Sequence, residues 1–134
     1  MVIGYTSGVF DLFHIGHLNL LENAAKECDL LFVGVCSDEL VLKLKHRKPM
    51  IPFKDRIRII NALSCVSKAI PKTFDDDLFY AKSVNAKIVF KGSDWENTQK
   101  WLANEKRFEN EKILIRFLPY TKGISSTKLK GLIE

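Results

Sequence analysis

VIGYTSGVFDLFHIGHLNLLENA, residues 2–24, runs from an apolar segment through a turn into a helix. The first part, VIGYTSG, is short and apolar and closes on Gly8, which predicts a strand followed by a turn. From residue 16 to 27, Leu18, Leu21 and Ala25 recur at helical spacing, and Leu20 and Ala24 widen the apolar face. Between strand and helix lie Gly8, Asp11, His14, Gly16 and His17, more chemistry than a plain turn needs.

The rest of the chain repeats this alternation. LLFVGVC (30–36) is a continuous apolar run, as expected of a strand buried on both faces. Ser37 is placed to cap a short helix, SDELVLKLK, by accepting a backbone N–H. After a basic loop holding Pro49 and Pro52, FKDRIRIINALS (53–64) reads as helix, and VSKAI (66–70) as a strand stopped by Pro71. DDLFYAKSV (76–84) is helical, AKIVFKG (86–92) strand, 95–110 a polar helix, KILIRFLP (112–119) strand, and SSTKLKGLIE (125–134) a closing helix. Five strands alternating with helices predict a Rossmann-like, doubly wound α/β fold: a five-stranded, mostly parallel sheet with helices on both faces. No linker or repeat interrupts it, so residues 1–134 form one domain. Ligands of such sheets sit beyond the C-terminal strand ends, at the point where strand order reverses. Loops 7–17, 91–95 and 119–127 reach that edge, and the unusual residues lie in them.

Composition narrows the class. At 46% hydrophobic and 28% charged residues the chain reads as soluble and globular. Its apolar runs are too short to span a bilayer, which predicts no membrane insertion. The first residues lack the basic start and cleavage site of a secretory signal, so a cytoplasmic location is expected. Cys28, Cys36 and Cys65 are odd in number and show no C-x-x-C spacing, which argues against both a disulfide framework and a zinc site. The net charge of +5 is local: residues 43–58 carry Lys43, Lys45, Arg47, Lys48, Lys54, Arg56 and Arg58 against the single acid Asp55. Such a patch suits a phosphate site or a nucleic-acid contact.

The first loop decides between these. His14 and His17 are three apart at a helix start, so both can lie on one face of its first turn. Gly8 and Gly16 allow close backbone approach, and free N–H groups at a helix start attract anions. Two imidazoles, glycines and open amides suit a polyphosphate. A zinc set of His14, His17 and His46 is disfavoured because the lysine-rich surroundings of His46 repel a dication, so no protein metal site is expected. A nucleic-acid module would leave the histidines unexplained, and no nucleic-acid partner is expected.

These residues also carry a resemblance. GVFDLFHIGHLNLLENA resembles the G-x-F-D-x-x-H-x-G-H motif of the cytidylyltransferases, within the nucleotidyltransferase superfamily. FKGSDW (90–95) is similar to that family's glycine–aspartate loop, and KGISSTKLKGLIE to its C-terminal R-T-E-G-I-S-T-T motif and helix. The likeness covers nearly the whole chain and is greatest to the small glycerol-3-phosphate cytidylyltransferases. It implies that a phosphate oxygen of an alcohol phosphate attacks the α-phosphorus of CTP, releasing pyrophosphate and forming a CDP-alcohol. His14 and His17 would contact the triphosphate, and Lys43 or Lys45 would bridge the α-phosphate and the acceptor. Gly8, Val9, Phe10, Asp11, Gly16, Arg56, Lys91, Gly92 and Asp94 would line the nucleotide. Lys122, Gly123 and Ile124 would line it too, and Ser125, Ser126 and Thr127, at the start of the last helix, would hold its β- and γ-phosphates. Trp95 would lie on the acceptor side, Mg²⁺ would accompany the phosphates, and the protein would be a homodimer.

The chain also departs from the family. Tyr120 and Lys122 stand where the C-terminal motif has arginine and glutamate, and Ser64 where glycerol-3-phosphate enzymes carry a further arginine. Asp75, Asp76 and Asp77 stand where those enzymes place a lysine. With Asp75 and Asp77 in the acceptor pocket, an acceptor bearing an ammonium group is expected. An alternative within the superfamily is an ATP-dependent adenylyltransferase acting on a sugar phosphate. Heptose-phosphate adenylyltransferase domains also carry a lysine before the glycine–aspartate loop and a G-x-S-T-T ending.

Overall fold

The structure, a computed structural model, describes residues 1–119. Among them the elements are β1 (Ile3–Gly8), α1 (Ile15–Ala25), β2 (Leu30–Cys36), α2 (Asp38–Lys45), α3 (Phe53–Asn61), β3 (Lys68–Lys72), α4 (Asp77–Ser83), β4 (Ile88–Gly92), a 3₁₀ turn (Ser93–Trp95), α5 (Gln99–Asn110) and β5 (Leu114–Leu118). The sheet order is β3-β2-β1-β4-β5 and every pairing is parallel. The chain steps outward from β1 through β2 to β3, then returns to the other side of β1. The switch point therefore lies between β1 and β4, where the expected site should be.

Alternation along the strands sends side chains to two faces. Leu31, Val33, Val35, Ala69 and Phe90 pack with Leu21 and Ala24 of α1 and Ile60 of α3. Tyr5, Val89, Phe32 and Ile70 pack on the other face with Leu78 and Ala81 of α4 and Trp101 and Phe108 of α5. Gly34 is needed where it stands, because the Tyr5 hydroxyl occupies the space its Cβ would take. The expected Ser37 cap is present, its Oγ accepting Leu40 N–H at 3.1 Å.

Two of the differences from the sequence reading of the element boundaries have a clear local cause. The third strand does not stop at Pro71 but runs through it to Lys72. Proline is tolerated because β3 is an edge strand. Lys72 O accepts from Ser37 N at 2.9 Å on the β2 side, and Ala69 N donates at 3.0 Å to Asn61 Oδ1 on the other. Since successive residues alternate sides, the nitrogen of Pro71 points away from the sheet, where no ladder bond is lost. The polar helix begins later than expected, at Gln99, because Asn97 takes a left-handed conformation (φ 68°) and Thr98 caps it through Trp101 N–H. The closing helix lies outside the described residues, and with it Lys122, Gly123, Ile124, Ser125, Ser126 and Thr127.

Candidate active site

The loop from β1 to α1 turns on two left-handed residues, Phe10 (φ 56°) and Leu12 (φ 49°). Each costs on the order of 1 kcal/mol in a non-glycine residue and persists only where neighbours hold it. Asp11, between them, supplies the hold. Its buried carboxylate accepts Met50 N–H and Ile51 N–H, both at 2.9 Å. Asp11, expected on the nucleotide, ties loop 8–17 to the basic loop through these two bonds. The Phe10 ring is buried, edge-on to His17 at 5.5 Å, and Phe13 stacks on His17 at 5.4 Å.

His14 and His17 cap α1 reciprocally. Gly16 N–H donates to His14 Nδ1 at 3.0 Å, and His14 N–H donates to His17 Nδ1 at 3.2 Å. Each ring accepts at Nδ1, so each neutral imidazole carries its proton on Nε2. The rings stack with centroids 3.9 Å apart. Burial lowers the pKa of His14 and, with His14 and Lys45 adding to it against the pull of Asp11, pushes His17 down to about 4. At neutral pH His17 is therefore an uncharged N–H donor. His14 Nε2 is shielded and has no partner among the described residues. The first turn of α1 holds no acidic residue, so the positive end of its dipole is uncompensated. An anion with several acceptor oxygens satisfies all of these groups together.

The basic segment divides. Lys43 and Lys45 are exposed in the last turn of α2. Two residues apart on a helix they face different ways, and the charge of Lys45 adds to the lowering of the His17 pKa. Arg56, expected on the nucleotide, is 1% exposed and forms a hub of hydrogen bonds within the protein. Its Nε donates to Ile51 O at 2.9 Å, and its Nη1 to Val9 O at 2.8 Å and Cys36 O at 2.7 Å. Its Nη2 pairs with Asp38 at 2.6 Å. Four of its five N–H groups are thus used inside the protein. Asp38, which also accepts Phe53 N–H at 3.3 Å, was not anticipated.

The acidic run, expected on the acceptor side, is paired within the protein. Asp77 is buried, accepts from Ser7 Oγ at 2.7 Å and pairs with Lys72 at 2.9 Å. Lys91 Nζ stands 3.9 Å from its other oxygen. Burial alone would raise the Asp77 pKa; Lys91, Lys72 and the Ser7 hydroxyl outweigh it and hold the group ionised below its ordinary range. Asp75 is held by Lys100 at 2.8 Å and Lys72 at 3.4 Å, and Asp76 caps α4 and meets Arg107. All three carboxylates are engaged by the protein's own cations, which leaves no open charge on Asp77 to draw an ammonium group. Trp95 is partly exposed, with Lys91 Nζ 5.1 Å and Lys100 Nζ 5.4 Å from its ring centroid. Asp94 is exposed beside Gly92, where a Cβ would meet its Oδ1 at 2.6 Å.

Gly8, Val9, His14 and His17 thus come from the end of β1 and its connection into α1, and Lys91, Gly92 and Trp95 from the end of β4 and the 3₁₀ turn after it, on either side of the β1–β4 switch point. Surface hollows along α4 and α5, lined by residues such as Phe79, Arg107, Glu105 and Phe117, include none of them. Ser7 and Lys72 were missed; polar side chains at the C-terminal ends of apolar strands were the available signal. Among the described residues no helix is long and apolar enough to cross a membrane, and no three His, Cys, Asp or Glu side chains converge to hold a metal.

The family model described as cytidylyltransferase-like matches residues 5–132. The chain is 32% identical over 93% of its length to the glycerol-3-phosphate cytidylyltransferase of Bacillus subtilis, covering 92% of that protein. It is 31% identical over 87% of its length to the bifunctional protein HldE of Helicobacter hepaticus, and spans only 24% of it. Among solved structures, a lipopolysaccharide core biosynthesis protein from Thermoplasma volcanium has a TM-score of 0.75 at 24% identity, with 92% of this chain and 99% of that one covered. Pantothenate synthetase from Thermus thermophilus has a TM-score of 0.68 at 16% identity, covering 96% of this chain and 61% of that one. At those identities the structural likenesses show the shared fold.

Proposed function

Because the chain belongs to the cytidylyltransferase-like family, we propose that it transfers CMP from CTP to a small alcohol phosphate, yielding a CDP-alcohol and pyrophosphate. An oxygen of the acceptor phosphate bonds to the α-phosphorus as the bond to the β-phosphate oxygen breaks, and the electron pair leaves with pyrophosphate. The observation that carries the reading is the reciprocal cap, which turns two neutral histidines into Nε2–H donors at an uncompensated helix start.

The chemistry needs little else. A phosphate monoester has a second pKa near about 6 and is largely a dianion at neutral pH, so no general base is required. What the transition state needs is donors and positive charge around the phosphorus and leaving group. His14 and His17 supply Nε2–H donors, with the His17 ring uncharged at neutral pH, and Lys45 supplies charge on their side. Mg²⁺ accompanying the triphosphate would supply positive charge to the leaving pyrophosphate. The homodimer implied by the family resemblance belongs to the same reading.

A second reading, adenylyl transfer from ATP to a sugar phosphate, is favoured by one feature. Lys91 directly precedes Gly92-Ser93-Asp94, as the lysine does in heptose-phosphate adenylyltransferase domains. A matrix of CTP and ATP against alcohol phosphates and sugar phosphates, read by pyrophosphate release with Mg²⁺, separates the two. Release from CTP only with an alcohol phosphate is expected; release from ATP and not CTP across the same acceptors establishes the second reading instead.

A further inference from the structure

Three buried charges meet at the C-terminal edge of the sheet on the α4–α5 face: Lys72, Asp77 and Lys91. Two are cations and one is an anion. The nearby Asp75 is matched by Lys100, so one ammonium is in excess. Lys72 takes the close contacts, to Asp77 at 2.9 Å and Ser7 Oγ at 3.2 Å. Lys91 is left 3.9 Å from Asp77, with no hydrogen bond among the described residues although only 9% of it is exposed. Its Nζ lies 5.4 Å from the centroid of Trp101, whose buried Nε1 also has no partner among the described residues. A buried ammonium without hydrogen bonds is costly unless an anion completes it.

We propose that Lys91 binds the phosphate of the acceptor, held in place by the Lys72–Asp77 pair beneath it and flanked by Trp95. The inference rests on the transferase reading above. His14 and His17 start α1, whose Leu21 and Ala24 pack on the opposite face of the sheet, whereas Lys91, Ser7 and Lys72 meet Asp77 of α4, and Lys91 also lies over Trp101 of α5. In phosphoryl transfer the attacking and leaving oxygens stand roughly in line across the phosphorus. With the triphosphate on the histidines, the attacking phosphate must come from the Lys91 side.

The chain provides its own reporter, because its two tryptophans are the two rings that Lys91 faces. Titrating inorganic phosphate and glycerol 3-phosphate while following tryptophan emission should give a saturable change in the wild type. Lys91→Met should abolish it and Lys91→Arg should largely restore it. Lys91→Met leaves Asp77 paired with Lys72, so the variant should fold. In steady-state assays Lys91→Met should raise the acceptor KM tenfold or more and leave the triphosphate KM within twofold. The proposal is overturned by an emission response that is absent from the wild type or unchanged in Lys91→Met, or by a rise in the triphosphate KM in place of the acceptor KM. A wild type that transfers to no acceptor sinks the transferase reading, while the tryptophan titration still decides whether Lys91 binds an anion.

Discussion

Arg56, expected from the resemblance to line the nucleotide, is hydrogen-bonded within the protein, and a role in the fold differs from a role on the nucleotide in what a substitution does. Arg56→Met leaves the carbonyls of Val9, Cys36 and Ile51 without their donor. A buried polar group stripped of its partner costs about 1–3 kcal/mol. Asp38 is one-third exposed, so water compensates much of its loss. Allowing for relaxation around the carbonyls, the expected loss is about 3–5 kcal/mol. Arg56→Lys keeps the charge but can reach at most one or two of the four acceptors, and should lose about 2–3 kcal/mol. For a domain of this size 1 kcal/mol moves Tm by about 3–5 °C, so the methionine variant should melt about 10–20 °C below the wild type. Thermal and urea melts followed by circular dichroism, with an unchanged m-value, measure this directly. Should Arg56→Lys melt within 2 °C of the wild type while nucleotide affinity falls tenfold, the guanidinium is a phosphate ligand and the hub reading is wrong.

His14→Ala and His17→Ala should each lower kcat by about 10²–10³ with the fold intact, as for loss of a donor to developing charge. Near wild-type turnover in either would assign that ring a purely structural part. Lys45→Ala should slow turnover more than Lys43→Ala; equal effects would remove the asymmetry seen beside His17. Stability should fall with acid between pH 6.5 and about 4, because the unfolded chain takes up a proton on His17 over that range and the folded chain does not. At 1.36 kcal/mol per pH unit this approaches about 3 kcal/mol. Urea melts across that range should show the slope, and a His17→Asn variant that keeps it would assign the acid sensitivity elsewhere.

The sheet and its covering helices were legible because the strands are continuous apolar runs and the helices keep their 3.6-residue period. Even the His14–His17 constellation was visible, since spacing three at a helix start fixes a common face. What the sequence concealed were choices made in three dimensions. Arg56 and Asp11 look like ligands from their neighbours in the chain. Their partners within the protein, Val9 and Cys36 for one and Met50 and Ile51 for the other, are set by how distant loops meet. The acidic run looked like an open selectivity element because Lys72, Lys91 and Lys100, the cations that absorb it, come from three other elements or their edges. Pro71 misled for a related reason: it ends a strand only if its nitrogen faces a neighbour, and neither sheet order nor side can be read from a pentapeptide.

That proline has a bearing on how molecules of this protein meet one another. An exposed sheet edge invites a strand from another molecule by offering a row of alternating donors and acceptors. On the outer side of β3 the two nitrogens that would donate belong to Ala69 and Pro71. The first is occupied by Asn61 Oδ1 and the second carries no hydrogen. The edge retains acceptors but has no donor to give, so a neighbouring strand cannot build a ladder there. Self-association through this edge, whether ordered or leading to aggregates, is blocked by the backbone chemistry of a single residue and one side-chain amide. Asn61→Ala should weaken that protection by half, freeing one N–H, and a dimer of this protein must use a surface other than the β3 edge.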